Sequence, residues 1–167
     1  AYVVTGKSYI YENQVLNRSQ SPAHLHEHSV PILKMLKVRE AMVEDVIKIS
    51  PETVVSDAET ILKERNIDSV IVEVNGELTG IITTADIAPL RHEKRSTMTV
   101  SDVMSRDLIV TYPDETLYQT MLLLGSNDIH HIPVVDRSKP KKAIGIITMQ
   151  DIVRHHRLEV ENEDTDS

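Results

Sequence analysis

The chain of 167 residues has no cysteine, no tryptophan and no phenylalanine; five tyrosines are its whole aromatic complement. Without cysteine there is no disulfide framework, no thiolate zinc site and no cysteine nucleophile. No apolar run approaches the roughly 20 residues that a membrane-spanning helix needs, so this piece reads as soluble. No basic stretch leads into a short apolar one, so no signal peptide is expected. The start at Ala1 rather than Met reads as a fragment or a tag scar. Nucleic acid is a poor partner, because a net charge of -8 denies a basic footprint and the missing Trp and Phe deny stacking platforms. There is no Gly-x-Ser-x-Gly elbow, no P-loop and no His-Glu-x-x-His, so the chain is not expected to be an enzyme.

Much of the charge is local. Glu159, Glu161, Glu163, Asp164 and Asp166 crowd the last nine residues with no base among them. Residues 158–167 therefore read as a solvated, disordered acidic tail. The remainder is long enough for one compact domain with a core of ordinary size.

What is present is a sentence said twice. Gly80-Ile81-Ile82-Thr83-Thr84-Ala85-Asp86-Ile87 returns as Gly145-Ile146-Ile147-Thr148-Met149-Gln150-Asp151-Ile152. Val38-Arg39-Glu40-Ala41-Met42 returns as Val100-Ser101-Asp102-Val103-Met104, and Ile47 to Pro51 returns as Ile109 to Pro113. The offset is 62 residues from Met42 to Met104 and 65 from Gly80 to Gly145, so the second copy carries three extra residues. A repeat of this length is one supersecondary unit that buries its apolar face against its twin. Function is then expected in the seam between the copies.

Residues 1–35 lack a periodic core pattern and read as a linker, with short strands at Tyr2–Val4 and Tyr9–Tyr11 and a turn-like Asn17–Pro22. Copy one, 36–92, reads as a strand Ile47–Ile49 stopped by Pro51 and a helix from about Val55, where Ser56 and Glu59 have capping-box spacing. A strand from Ser69 to Val74 follows, then the hairpin turn Asn75-Gly76 and a return strand to Thr83. A short helix runs from Thr84 to about His92, with Pro89 near its end. Copy two, 93–157 with its joining segment 93–99, repeats the order. A strand covers Leu108–Val110, and Thr116 and Gln119 open a helix to about Ser126. Hairpin strands cover Ile132–Val135 and Ile144–Thr148, around a loop 136–142 that holds the insertion. A last helix runs from Met149 to about Arg157. The fold class is α/β (α+β), two pseudo-symmetric β-α-β-β-α units. Leu117, Tyr118, Met121, Leu122, Leu123 and Leu124 make the second-copy helix apolar almost all round, which asks for cover on two sides. That cover is either ordinary burial or a subunit contact, and a homodimer is expected.

The doubled Gly-Ile-Ile-Thr-x-x-Asp-Ile, each after a hairpin and each preceded by Val-x-x-x-Met and a strand ending at Pro, resembles the cystathionine-β-synthase-type (CBS) motif. Two such motifs form a tandem CBS pair. The resemblance covers about residues 36–157 and implies binding of adenine nucleotides or related ligands to regulate an attached protein. Ser8-Tyr9-Ile10-Tyr11-Glu12-x-Gln14-Val15 followed by Ser21-Pro22-Ala23-His24 is similar to the stretch after the last membrane helix of CLC-type chloride channels and transporters. That likeness implies a cytoplasmic regulatory region whose partner is the membrane-embedded transport domain of the same parent chain.

The candidate site residues follow from strand ends and helix starts. Thr83 and Thr148 end strands, and Asp86 and Asp151 lie three residues on, in the first turn of the next helix. Free N–H groups and the positive helix end collect there, so a phosphate fits on the N–H groups and the Thr hydroxyl. The carboxylate can accept from two ribose hydroxyls. On the other reading the threonines are N-caps and the aspartates only complement the helix dipole. The resemblance implies that the base lies against His131, Ile132 and Pro133 with Thr111 and Tyr112 facing them, and that Ser69, Val70, Ile71 and Ser50 are the copy-one counterparts. The second site is the better furnished of the two on this reading. No base adjoins either aspartate to meet a polyphosphate; Arg154 and Lys48 are the substitutes. The ligands implied are ATP, ADP or AMP, with no cofactor required. His24, His26 and His28 have spacing that an extended chain could offer a divalent metal, but His24 belongs to the Ser-Pro-Ala-His string, so a linker role is expected and no metal site. Three readings stand: a nucleotide-sensing module of a CLC-type transporter, a structural dimerisation module that binds nothing, or a CBS pair from another transporter or enzyme.

Overall fold

The computed structural model describes residues 30–165. The strands expected at Tyr2–Val4 and Tyr9–Tyr11, the Ser8–His24 string and the three histidines His24, His26 and His28 lie outside the described residues. The elements in order are α1 (30–35), α2 (Val38–Ala41), β1 (Lys48–Ile49), α3 (Val55–Arg65), β2 (Ser69–Val74), β3 (Glu77–Thr83), α4 (Thr84–Ile87) and α5 (His92–Arg95). A 3-10 turn at Val100–Asp102 leads to α6 (Leu117–Ser126), β4 (His131–Asp136), β5 (Lys139–Thr148) and α7 (Met149–Thr165).

Each copy builds its own sheet. In the first, β1 runs parallel to β2 and β2 antiparallel to β3. Asn75 at φ 53 and Gly76 at φ 79 take the two positive-φ places of the hairpin turn, as Asn-Gly does best. In the second, β4 and β5 pair antiparallel, and Thr111 alone makes a parallel bridge to Val134. The strand expected at Leu108–Val110 is thus reduced to one bridge. Pro133 explains the difference: it stands where Ile71 donates its N–H to Ile47 O in copy one and has no N–H to give Ile109, while the Thr111 side chain beside it is fully buried, donates to Glu115 at 2.7 Å and shares a 3.2 Å hydrogen bond with Thr120. The three-residue insertion is absorbed by register shifts at Val134–Asp136, which let β5 start at Lys139 rather than leave a loop to Lys142.

The copies trade their lead-in segments. Val38, Ala41 and Leu33 are buried in one core with Leu117, Leu124, Ile132, Val134, Ile147 and Ile152, all from copy two. Val100 and Met104 are buried in the other with Val55, Leu62, Val70, Val72 and Ile82, all from copy one. Backbone bonds fix the trade. Leu36 O accepts from Leu117 N at 3.0 Å and Met98 O from Val55 N at 3.0 Å, so each arm satisfies a donor at the N-terminus of the other copy's main helix. Each arm then adds an antiparallel bridge to the other copy's last strand, Val43 with Ile146 and Ser105 with Ile81. A third cluster, Ile71, Ile81, Ala143 and Ile146, seals the seam between the two sheets.

Three local expectations are corrected. Ser56 and Glu59 form no capping box: the N-cap is Val54 without a side-chain bond, and Glu59 pairs instead with Lys63 at 2.6 Å and Arg95 at 2.8 Å. The helix after Thr83 ends at Ile87, before Pro89, and a separate turn of helix forms at His92–Arg95. The last helix does not stop near Arg157 before a disordered tail but continues to Thr165, with His155–Glu159 and Arg157–Glu161 spaced i,i+4 along it at 4.0 Å each. In α6, Leu117, Thr120 and Leu124 form the core face, Tyr118, Met121 and Leu123 are partly buried against it, and Leu122 is 51% exposed.

Candidate functional site

Both expected Thr–Asp pairs form capping boxes. Thr83 donates to Asp86 Oδ2 from its N–H at 2.8 Å and from its hydroxyl at 2.7 Å, and Asp86 N–H returns a bond to Thr83 Oγ1 at 3.3 Å. Thr148 donates to Asp151 Oδ2 at 2.9 and 2.7 Å, with the return bond at 3.2 Å. The two boxes differ at the second carboxylate oxygen. Arg154 donates to Asp151 Oδ1 at 2.6 Å, and Asp151 is buried. Asp86 is half-buried, and among the described residues nothing hydrogen-bonds its Oδ1.

Each box stands at the mouth of a cleft, and each cleft is built from both copies. The Asp151 cleft, about 270 Å³, sets Thr148, Gln150, Asp151 and Ile146 of copy two against Asp45, Val46, Ile47, Asn66, Asp68, Ser69 and Ile71 of copy one. The Asp86 cleft, about 300 Å³, sets Thr83, Ala85, Asp86 and Ile81 of copy one against Asp107, Leu108, Ile109, Asp128, His130, His131 and Pro133 of copy two. The linings correspond position by position. Ile47 and Ile109, Ser69 and His131, and Ile71 and Pro133 are equivalents at an offset of 62; Thr83 and Thr148 at 65.

The expected grouping of site residues is therefore redistributed. His131 and Pro133 join Thr83 and Asp86, not Thr148 and Asp151, although His131 also reaches the Asp151 cleft. Ile132 and Thr111 are fully buried in the core of copy two and line neither cleft. Tyr112 also lines neither; its ring lies under the Arg137 guanidinium at 4.0 Å, and Arg137 is paired with Asp114 at 3.0 Å. Alternation explains Ile132: on β4 it points opposite to its neighbours His131 and Pro133. Val46, Ile47, Leu108 and Ile109 were missed as cleft walls, because the arms before each first strand cross to the other copy. The equal offset of these four was the available signal.

His131 sits where the clefts meet. Burial pushes its imidazole below the ordinary histidine range, and His130 adds to that, while Asp68, Asp151 and Asp86 pull the other way without cancelling it. It is thus neutral at pH 7. Among the described residues no group of three or more His, Cys, Asp or Glu is arranged to hold a metal ion, and no helix is long and apolar enough to cross a membrane.

A family model for the CBS domain matches residues 38–93 and again 100–157. The chain belongs to the CBS-domain family. The double match makes it a tandem CBS pair, a regulatory and ligand-binding module by family. Its relatives include inosine-5'-monophosphate dehydrogenase of Thermoplasma acidophilum, 33% identical over 145 residues, which are 86% of this chain and 28% of the dehydrogenase. The chain thus spans about a quarter of the dehydrogenases it matches. The CBS domain-containing protein YhcV of Bacillus subtilis is 28% identical over 71% of this chain and 84% of its own. Among solved structures, the CBS pair of protein MJ0100 in complex with 5'-methylthioadenosine and S-adenosyl-L-methionine superposes with a TM-score of 0.64 at 29% identity, covering 71% of this chain and 93% of that one.

Proposed function

We propose that this CBS pair senses an adenosine-containing ligand in the clefts between its copies and regulates the protein of which it is part. The observation that carries the reading is the Asp86 cleft. A half-buried carboxylate there keeps one oxygen clear for ribose hydroxyls, opposite an apolar wall of Leu108, Ile109 and Pro133 that suits a base. The complex of the MJ0100 pair with adenosine compounds supports the same ligand class. The pair itself supplies no catalytic constellation on this reading; it acts by differential affinity for two arrangements of its copies, which sets the limit of any regulation.

The host we propose is a CLC-type transporter, with the pair on the cytoplasmic side and residues 1–35 joining it to the transport domain. Its support is the Ser8–His24 string alone. A homodimer is proposed on the exposed edge of α6. The test of sensing is a thermal shift of the 167-residue chain with adenosine, AMP, ADP and ATP, each at 100 times its dissociation constant, where binding adds about 2.7 kcal/mol of stability. A shift with at least one of them supports the reading. No shift with any of them favours a structural dimerisation module. Transport by a full-length parent that ignores adenine compounds, while the chain binds them, removes the regulatory reading.

A further inference from the structure

Resting on the sensing proposal, we infer that the Asp86 cleft selects ligands by charge: it admits adenine nucleosides whose 5' group is neutral or cationic and rejects polyphosphates. The expected phosphate anchors are already engaged. Thr83 spends its N–H and hydroxyl on Asp86 Oδ2, and Asp86 N–H is spent on Thr83 Oγ1. The helix behind them, α4, has only four residues, so its dipole offers little further attraction. Around this box the lining carries Asp86, Asp107 and Asp128 and no lysine or arginine. Of the two histidines in the lining, His130 and His131, the buried His131 does not offset them, because burial holds it neutral.

Comparison with the other cleft isolates the cause. The position of Arg154, which meets Asp151, is occupied in copy one by Pro89, at the same offset of 65. The Asp151 cleft therefore holds one guanidinium that a phosphate can recruit, and the Asp86 cleft holds none. An anion of three or four charges entering the Asp86 cleft meets the half-buried Asp86 and the exposed Asp107 and Asp128, three like charges with no cation among them to offset the repulsion. A sulfonium or an uncharged thioether at the same place is either attracted or indifferent.

Isothermal titration calorimetry of the 167-residue chain with adenosine, 5'-methylthioadenosine, S-adenosylmethionine and ATP, the last with and without Mg²⁺, tests this. The titrations are run in Arg154→Ala, which removes the phosphate anchor of the other cleft, and the expected result is binding of the three nucleosides at least tenfold tighter than ATP in either condition. In the same background Asp107→Lys, a change at an exposed position, should bring ATP to within about threefold of adenosine; Glu64→Lys, the same charge change at an exposed position outside both clefts, should not. Binding of ATP to Arg154→Ala equal to or tighter than adenosine overturns the inference and leaves the sensing proposal standing. So does a gain of ATP affinity from Glu64→Lys as large as that from Asp107→Lys. Failure of all four compounds to bind overturns the sensing proposal and this inference with it.

Discussion

Gly145→Ala and Gly80→Ala are the same substitution at equivalent points of the repeat, and their costs should differ. A Cβ on Gly145 would stand 2.9 Å from the backbone oxygen of Val43 and 3.1 Å from Met42 Sδ. Carbon–oxygen contacts across strands normally lie at about 3.3–3.6 Å, so the arm must recede by several tenths of an ångström. Receding strains the pair of backbone bonds between Val43 and Ile146, now 2.9 and 3.0 Å, each contributing about 0.5–1.5 kcal/mol. Overpacking of this kind costs about 1–3 kcal/mol, and replacing glycine inside a strand returns about 0.5–1 kcal/mol. The net expectation for Gly145→Ala is a loss of about 1–2 kcal/mol. At Gly80 the closest atom is Met104 Sδ at 2.6 Å, the end of a flexible side chain, with Ser105 O at 3.1 Å. Methionine can change rotamer, so Gly80→Ala should cost less. A double-mutant cycle separates the two cases. Met104→Ala should couple to Gly80→Ala by at least 0.5 kcal/mol, and Met42→Ala should couple weakly to Gly145→Ala, because the obstructing oxygen is backbone. Urea unfolding followed by far-UV circular dichroism, at fixed pH, reads all six variants. A neutral Gly145→Ala, or its rescue by Met42→Ala, would refute the view that the arms are fixed to the last strands through the backbone.

Four further outcomes are expected. His131 binds its proton less tightly folded than unfolded, so the unfolded chain takes up more protons near pH 6.5 and stability should rise with pH through that range and fall as the pH drops below it; thermal melts from pH 7.5 to 5.5 should lose part of this slope in His131→Gln, and an unchanged slope places the effect elsewhere. Asp86→Ala removes the acceptor of two Thr83 bonds and should cost about 0.5–2 kcal/mol, the usual range for a cap, by the same urea assay. Leu122→Glu should shift the light-scattering mass toward the monomer without unfolding the chain, whereas Leu123→Glu should lower the melting temperature, since Leu123 packs on the core and Leu122 does not. Thr120→Val should cost no more than about 1 kcal/mol, because Thr111 keeps its 2.7 Å bond to Glu115 and is not left unsatisfied; a loss above 2 kcal/mol would show that the two hydroxyls act as a unit.

Short-range features were legible in the residues alone. Asn75-Gly76 demands its turn, Thr116-x-x-Gln119 demands its capping box, and the two Gly-Ile-Ile-Thr-x-x-Asp strings lead a strand into a helix, because each depends on atoms within three or four positions of one another. The same spacing at Ser56 and Glu59 produced no box, since the N-cap falls at Val54, whose side chain has no acceptor, and Ser56 already lies inside the first turn. A repeat tells which residues are equivalent, not which copy each one faces, for an arm folded onto its own unit and an arm exchanged with its twin leave the same pattern along the chain. Only the packing of one sheet against the other, sealed by Ile71, Ile81, Ala143 and Ile146, decided that the arms cross. Once they cross, the backbone bonds of Leu36, Val43, Met98 and Ser105 hold His131 and Pro133 opposite Asp86. The chemistry at each strand end was local and readable, but its partners across the cleft lie more than 20 residues away along the chain, where no periodicity carries information.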